Sequence, residues 1–546
     1  MATLQEAHQP FAGAPRSRLN RFVHTIPRLV LWIVSSLLII IVALIIASFF
    51  IDGPLRRSME RGINERLTGY NVRLPHAHFQ LFTLAVTLRD LEIVQDSHPS
   101  PPVAVIPRLR ASMQWGELIH GHLVSDFKID QPRFNLNLPQ LRSEQQDSVK
   151  LADRGWQAAA LKIYPVKLNL IQVVNGDVVY IDTDSTRPLH LAHVNFSAND
   201  VRNVHSNDRV YPSPVHLSAD VFEKGHAVVD GKVDFFATPM PAVNLQYRLT
   251  DVPLDNLGPI AQRENLTLKG GTIESNGKIE YGPSIKNIDV NNVTVTALNA
   301  DYHHTPPAAL KKVNAAVHEV NNDPTIEIRV DTVDVVNSTF GMMRLVGTHH
   351  YRLFLDRANF HLTNYTNHFN EGTARATLHG RFMGSGATNA RLVLRPGKES
   401  PSFNLDLAIE DASMPAMNDM LRAHGKLDVT KGSFSFYSQV NVANGQMSGY
   451  VKPMFKDFQV YSWHQDKHDN VFNQLYEVVA SGLLKLFKNH KTDEVATRAV
   501  LAGPSATTTA DTWELIANAF ENAFIKAITP GFDRILGKDR KNRNGN

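Results

Sequence analysis

Phe403-Asn404-Leu405-Asp406-Leu407-Ala408-Ile409 places an apolar side chain at every second position. A period of two gives a strand one apolar and one mostly polar face, because successive side chains point to opposite sides of the pleat. The same pattern recurs upstream. Val215, Leu217, Ala219 and Val221 alternate with His216, Ser218 and Asp220, and Ile326, Ile328 and Val330 alternate with Glu327, Arg329 and Asp331. From about Tyr70 to residue 463 this pattern dominates, starting with Phe79, Leu81, Leu84, Val86 and Leu88. Glu223-Lys224-Gly225, Asn276-Gly277 and Asn444-Gly445 read as turns between strands. The alternation slips between Val330 and Val333, which predicts a bulge or a new strand.

Two short helical turns interrupt the strands, Leu254 to Ile260 and Met414 to Leu421, and they belong to an internal repeat. Leu249-Thr250-Asp251-Val252-Pro253-Leu254 aligns with Ile409-Glu410-Asp411-Ala412-Ser413-Met414. Leu257 and Ile260 then match Met417 and Met420, and Leu266, Leu268 and Gly271 match Leu427, Val429 and Gly432. Repetition at this spacing predicts an elongated structure of similar pieces. A sheet that is apolar on one side needs a cover for that side, and helices to supply it are scarce here. Two solutions remain open: a sandwich of two sheets with a dry core, or one sheet that curls and holds an apolar ligand.

The N-terminal flank is of another kind. Leu29 to Ile51, including Trp32, Leu38 and Ile46, is a run of 23 residues without a charged side chain. About 20 apolar residues suffice to cross a bilayer as a helix. The run is longer than a cleavable signal, and Phe49-Phe50-Ile51 does not resemble a cleavage site, so it reads as an uncleaved signal anchor. Arg16, Arg18, Arg21 and Arg28 precede it against the single acid Glu6, whereas acids dilute the arginines that follow. The positive flank stays in the cytoplasm, which puts everything from Asp52 onward on the far side. Residues 1–28 then form a cytoplasmic tail. Residues 52–69 form an amphipathic helix begun by Pro54 and ended by Gly69, with Leu55, Met59, Ile63 and Leu67 on one face. Arg56 with Glu60, and Arg61 with Glu65, are spaced for ion pairs on that helix.

Beyond the β region, residues 464–533 return to helical stripes. Phe472, Leu475, Val479, Leu483 and Leu486 form one, and Trp513, Ile516, Phe520, Ala523, Phe524 and Ala527 another, with an extended stretch from Glu494 to Leu501 between them. They read as caps on an open sheet edge, or as docking faces for a membrane or envelope partner. A basic tail, 534–546, ends the chain. The formal charge of +3 divides into basic ends and a mildly acidic body, which is no nucleic-acid footprint.

The 546 residues include no cysteine, which excludes thiol chemistry, disulfides and cysteine-bound metals. No nucleophile elbow, zinc-protease motif, phosphate loop or dinucleotide fingerprint occurs, so no cofactor or catalytic residue is expected. His464 and His468 with Asp466 and Asp469 have the chemistry of a metal site but sit in a linker-like stretch. The adjacent pairs His303-His304 and His349-His350 read as surface residues.

Several stretches together resemble one family. The anchor is followed at once by residues 55–70 and by Leu84-Ala85-Val86-Thr87-Leu88-Arg89-Asp90-Leu91-Glu92-Ile93. Trp115-Gly116-Glu117-Leu118-Ile119-His120-Gly121 leads to Ile129-Asp130-Gln131-Pro132-Arg133-Phe134, and Asn175-Gly176-Asp177-Val178 looks like a recurrent strand start. Gly449-Tyr450-Val451-Lys452-Pro453 and Asn522-Ala523-Phe524-Ile525-Lys526-Ala527-Ile528 follow near the end. In order and spacing these resemble AsmA-like bacterial envelope proteins, relatives of the bridge-like lipid transfer proteins. The Leu118-to-Gly121 spacing and Phe134, in place of an aliphatic residue, depart from that family's pattern. The resemblance implies a mainly β fold: an inner-membrane anchor, then an elongated curled sheet in the periplasm. The apolar inner face would form a groove for phospholipid moving between inner and outer membranes in outer-membrane biogenesis. The groove face would comprise Val215, Leu217, Val221, Ile326, Ile328, Val330, Phe403, Leu405, Leu407 and Ile409. Some 25–30 strands would stack to roughly 120–140 Å. The alternative is a structural or regulatory scaffold that binds other envelope proteins.

Overall fold

The computed structural model describes residues 28–80, 83–113, 124–138, 140, 167–181, 188–201, 209–237, 241–263, 265–303, 326–346, 348–368, 372–395, 402–425, 428–443, 446–461, 494–496 and 499–504. Helix α1 (Arg28–Asn64) opens this part of the chain. Its backbone runs through the apolar stretch and on into the amphipathic one. Pro54 is therefore an interior helical residue rather than the start of a second helix. The helix stops at Asn64, before Gly69, because the Asn64 side chain takes over the chain exit: it accepts from the Val72 N–H at 2.7 Å and donates to the Val72 carbonyl at 2.9 Å. Among the described residues no helix is long and apolar enough to cross a membrane. Leu38, Ile39 and Ile51 are exposed, while the side chains of Leu29, Trp32 and Ile46 lie outside the described residues. The later half of α1 buries Ile63, and with it the turn residue Leu67, against the first strands, with Leu55 and Met59 partly covered. Arg56 and Glu60 pair at 2.9 Å.

The strands form a single sheet. β1 (Tyr70–Arg73) and β2 (His76–Gln80) lie end to end along β3 (Ala85–Gln95). Next comes β4 (Ala104–Met113), then β5 (Val124–Asp130) and β6 (Arg133–Asn137), which are again collinear. β7 (Lys167–Ile181) joins that row in parallel. β8 (Leu189–Asn199), β9 (Ser213–Val221), β10 (Gly225–Asp234) and β11 (Ala242–Pro253) follow, each antiparallel to the last. A 3₁₀ turn (Asp255–Leu257) and the short helix α2 (Gly258–Arg263) lead to a row of β12 (Leu266–Lys269) and β13 (Thr272–Tyr281). β14 (Lys286–Thr296) and β15 (Asn299–His303) make the next row.

A second parallel step then adds β16 (Ile326–Val346). The meander resumes with β17 (His349–Thr366), β18 (Ala374–Phe382), β19 (Gly386–Arg395) and β20 (Ser402–Ser413). A 3₁₀ turn (Met414–Met417) and helix α3 (Asn418–Gly425) intervene before β21 (Asp428–Ala443) and β22 (Gln446–Tyr461). β23 (Glu494–Ala496) and β24 (Ala499–Pro504) line the far side of β22. Among the described residues the 24 strands, five pairs of them collinear, make nineteen rows. At about 4.8 Å per row the described sheet measures roughly 90 Å, shorter than the strand count expected from the sequence implies.

The repeat is larger than its sequence signature. β7 to β15 and β16 to β22 are two units of seven rows, each opened by a parallel strand and each carrying its helical insert after the fifth row. Equivalent atoms do equivalent things. Asn175 N–H donates to Asn195 Oδ1, and Asn195 Nδ2 to the His193 carbonyl; Asn337 N–H donates to Asn359 Oδ1, and Asn359 Nδ2 to the Arg357 carbonyl. Asp251 and Asp411 both take positive φ, 52° and 54°, at the same register shift. Gly225 and Gly386 face Val252 and Ala412 so closely that a Cβ would lie 2.7 Å from the Val252 Cα and 2.6 Å from the Ala412 Cβ.

These bulges lie in one line. Asp90, Gln131, Asn175, His193, Asp251, Gly271, Ala297, Asn337, Arg357, Asp411, Gly432 and Asp457 all have positive φ, and the β9–β10 and β18–β19 hairpins, which carry no bulge, end beside this line at Gly225 and Gly386. A bulge bends its strand, so the rows that carry bulges are bent along this line. Asn175-Gly176 is therefore a mid-strand bulge and not a strand start. Asn276-Gly277 likewise lies within β13, at a register shift, and is no turn. Glu223-Lys224-Gly225 does close the β9–β10 hairpin, and Ala443 pairs with Gln446 across Asn444-Gly445. The slip at Val330–Val333 is a skipped pair shared by three rows, at Asn291, Asp331 and Asn364.

Candidate apolar groove

Paired residues on neighbouring strands point to the same face, so the pairing itself tests which residues share a surface. Leu217 opposes Val229, which opposes Tyr247; Gly277, Val290, Val330 and Tyr365 continue the row. On the next level Val333 opposes Leu362, then Ala376, Leu392, Leu405 and Val440. The three runs predicted from the alternation therefore lie on one face of one sheet. The opposite face carries His216, Asp230, Asp220, His226, Asp334 and His361.

Burial varies along that face. Toward the C-terminal rows it is closed: Phe403 and Leu405 are buried with Val440, Val442 and Met447, and Ile409 joins a core built on Met414, Met417, Met420, Leu421, Phe434 and Phe436. Toward the N-terminal rows Ile63, Leu67 and the β1–β4 residues close it. Val215 and Val221 are buried, with Val215 packing beside Ala198, Val201 and Val233. Between these ends Leu217, Ile326, Ile328 and Val330 are only half-buried, and Ile288 in the middle row is 37% exposed; Leu407, also half-buried, packs against the C-terminal core. Tyr365 sits on this face, and burial raises its phenol pKa above the ordinary value. The face is dry at both ends and open between. Among the described residues no second sheet lies over it.

The polar face holds the ionisable clusters. Asp220 accepts from both His193, at 2.8 Å, and His226, at 2.9 Å, and these two hydrogen bonds hold its carboxyl below the usual carboxylate range. His216 pairs with Asp230 at 2.7 Å and His361 with Asp334 at 2.6 Å. Among the described residues no group of three such side chains is placed to hold a metal. His464, Asp466, His468 and Asp469 lie outside the described residues, as do both C-terminal helical stripes. His349 and His350 are exposed, and His303 bonds Thr267 on the surface.

Sequence reasoning missed the seam. Its signal was present as a four-residue apolar–x–Asp–apolar pattern within the strands: Leu88-Arg89-Asp90-Leu91, Leu249-Thr250-Asp251-Val252 and Ile409-Glu410-Asp411-Ala412. Asp tolerates the left-handed conformation better than most residues with a Cβ. No protein-family model matches the chain, and no curated protein matches it.

Proposed function

We propose that the chain is a non-enzymatic, membrane-anchored lipid-handling protein that passes phospholipid tails along the apolar side of its sheet. The observation that carries this is the half-open stretch around Ile288, Ile328 and Val330. Apolar surface left uncovered costs about 25 cal/mol per Å², and an acyl chain removes that cost without asking for any polar partner. The bulge seam supports the reading, since it bends the rows that carry it. The resemblance to AsmA-like proteins points the same way: an anchor in the bacterial inner membrane, the body in the periplasm, and lipid delivered toward the outer membrane.

The anchor is proposed from the sequence alone, on the uncharged run from Leu29 to Ile51. The arginines before it orient the N-terminus to the cytoplasm. A second reading, a scaffold for other envelope proteins, is favoured by the dry Met414–Phe436 core.

The deciding experiment is mass spectrometry of lipid bound to the portion from Asp52 onward, purified without detergent. Several phospholipids per chain, lost on Ile288→Lys in a protein that still folds, support the groove. A folded preparation without lipid favours the scaffold.

A further inference from the structure

Residues 304–325 join β15 to β16, and these two strands run parallel in neighbouring rows. A parallel pair needs a connection that returns across one face of the sheet. Neither edge offers a way round. Among the described residues β17 to β24 make seven rows beyond β16, about 34 Å of sheet, and the other edge is farther. The connection must come back from the level of Met343, the partner of His303, to Ile326, roughly 56 Å along the strand. A chain of this length reaches about 33 Å as a helix and about 75 Å fully extended. The return is therefore direct, along β16, on one face or the other.

Backbone hydrogen bonds and chirality decide between the faces. Thr339 N–H donates to the Leu298 carbonyl at 2.7 Å, so Thr339 turns its amide to β15. Asn367 N–H donates to the Ile328 carbonyl at 3.2 Å, so Ile328 turns its carbonyl to β17. In an extended L-residue viewed with its side chain in front and the chain running up, N–H and C=O point right. From the Ile328 and Phe340 side β17 is then on the right and β15 on the left. The step from β15 to β16 goes right, and a right-handed connection making it passes in front. Right-handed connections account for about 98% of parallel crossovers. The face so chosen is the apolar one, where Ile328 and Val330 are half-buried and Phe340 is 37% exposed. The opposite face carries Glu327 with Arg329, and Asp301 with Arg352, as ion pairs.

The sequence of the connection suits that face. Leu310, Val313, Val317 and Val320 follow one another at intervals of 3, 4 and 3 residues, the spacing of one helical face, between Pro307 and Pro324. A helix over 308–320 rises about 20 Å and the remaining residues, extended, add about 30 Å, close to the length required.

We propose that the apolar face along β16 is the docking surface of residues 304–325, with Val320 at the level of Val330 and Val317 at that of Val333. The inference goes beyond the lipid reading. One helix, about 10 Å across, spans about two rows, so the rows from β9 to β14 are left to lipid.

The chain has no cysteine, so introduced pairs are its only thiols. Full-length protein in membranes is treated with a short bismaleimide, and linked peptides are quantified by mass spectrometry. Val320→Cys with Val330→Cys, and Val317→Cys with Val333→Cys, should link about tenfold more than Val320→Cys with Arg329→Cys, because a short link needs both thiols on one side of the sheet. Val313→Asp puts a charge on the docking side and should cut the first two links about tenfold while the strand signal in circular dichroism is unchanged. Equal or stronger linking to Arg329→Cys places the connection on the polar face and overturns the proposal. Links that persist in Val313→Asp overturn it too. Absence of all three links overturns it, and in a protein that retains lipid leaves the groove reading standing.

Discussion

Asn359 clamps the bulge at Asn337: its side-chain oxygen accepts the Asn337 N–H at 3.1 Å and its amide donates to the Arg357 carbonyl at 3.1 Å. One unit earlier Asn195 makes the same two bonds around Asn175. Each clamp contributes about 1 kcal/mol by the usual worth of such bonds. Asn359→Ala and Asn195→Ala should each destabilise by about that amount, and the double variant by their sum, since the sites are far apart. Denaturant titration reads this, and a strongly non-additive pair would mean that the two bends are coupled.

The inserts should respond unequally. Met417→Ala opens a hole in a dry core and should cost about 2–4 kcal/mol. Ile260→Ala, at the equivalent of Met420, removes a side chain already 39% exposed and should cost under about 1 kcal/mol. Equal losses in thermal unfolding would show that α2 closes as tightly as α3.

Charge on the apolar face separates trough from core. Leu405→Lys buries an ammonium at a position 4% exposed and should prevent folding. Ile288→Lys, at 37% exposure, should leave the melting temperature within a few degrees and abolish lipid retention. Retained lipid in a folded Ile288→Lys protein contradicts passage along this face.

Gly386→Ala and Gly225→Ala push a methyl group into Ala412 and Val252 respectively. Overpacking of this kind costs about 1–3 kcal/mol. Circular dichroism melts should show similar losses, because the two close approaches are copies of one another.

Asp220 carries a pH prediction. Its folded pKa is depressed, so the stability it adds is complete above the unfolded value of 3.8 and is lost as pH falls through the lower folded value. A carboxyl NMR titration should place its midpoint below 3.8, and His193→Ala should move the midpoint up by removing the largest cause. A midpoint at or above 3.8 would mean that the two histidines do not hold the carboxylate in solution.

The apolar face was legible because its period of two is a property of neighbouring residues. Val215, Ile328 and Leu405 could be assigned to strands, and both inserts found, without knowing what each strand pairs with. That the three runs share one surface was not legible, since it depends on pairings spread across many rows and on bulges that reverse parity between Val330 and Val333. The duplication was seen only where Asp251 and Asp411 sit in similar sequence. Elsewhere the two units preserve backbone geometry with different side chains, such as His193 and Arg357. The Asn276-Gly277 pair misled because the same conformational freedom that makes a turn also makes a bulge.

The parallel steps at β7 and β16 have a consequence for how such a chain is made and how it changes. Every other row is joined to its sequence neighbour, so contact order stays low and structure can grow from one end, each finished row templating the next as the chain emerges. A unit that begins with a parallel strand and hands its last row to the next strand in sequence is also a module. Inserting one more would lengthen the protein by seven rows, about 34 Å, and leave every existing contact but one unchanged.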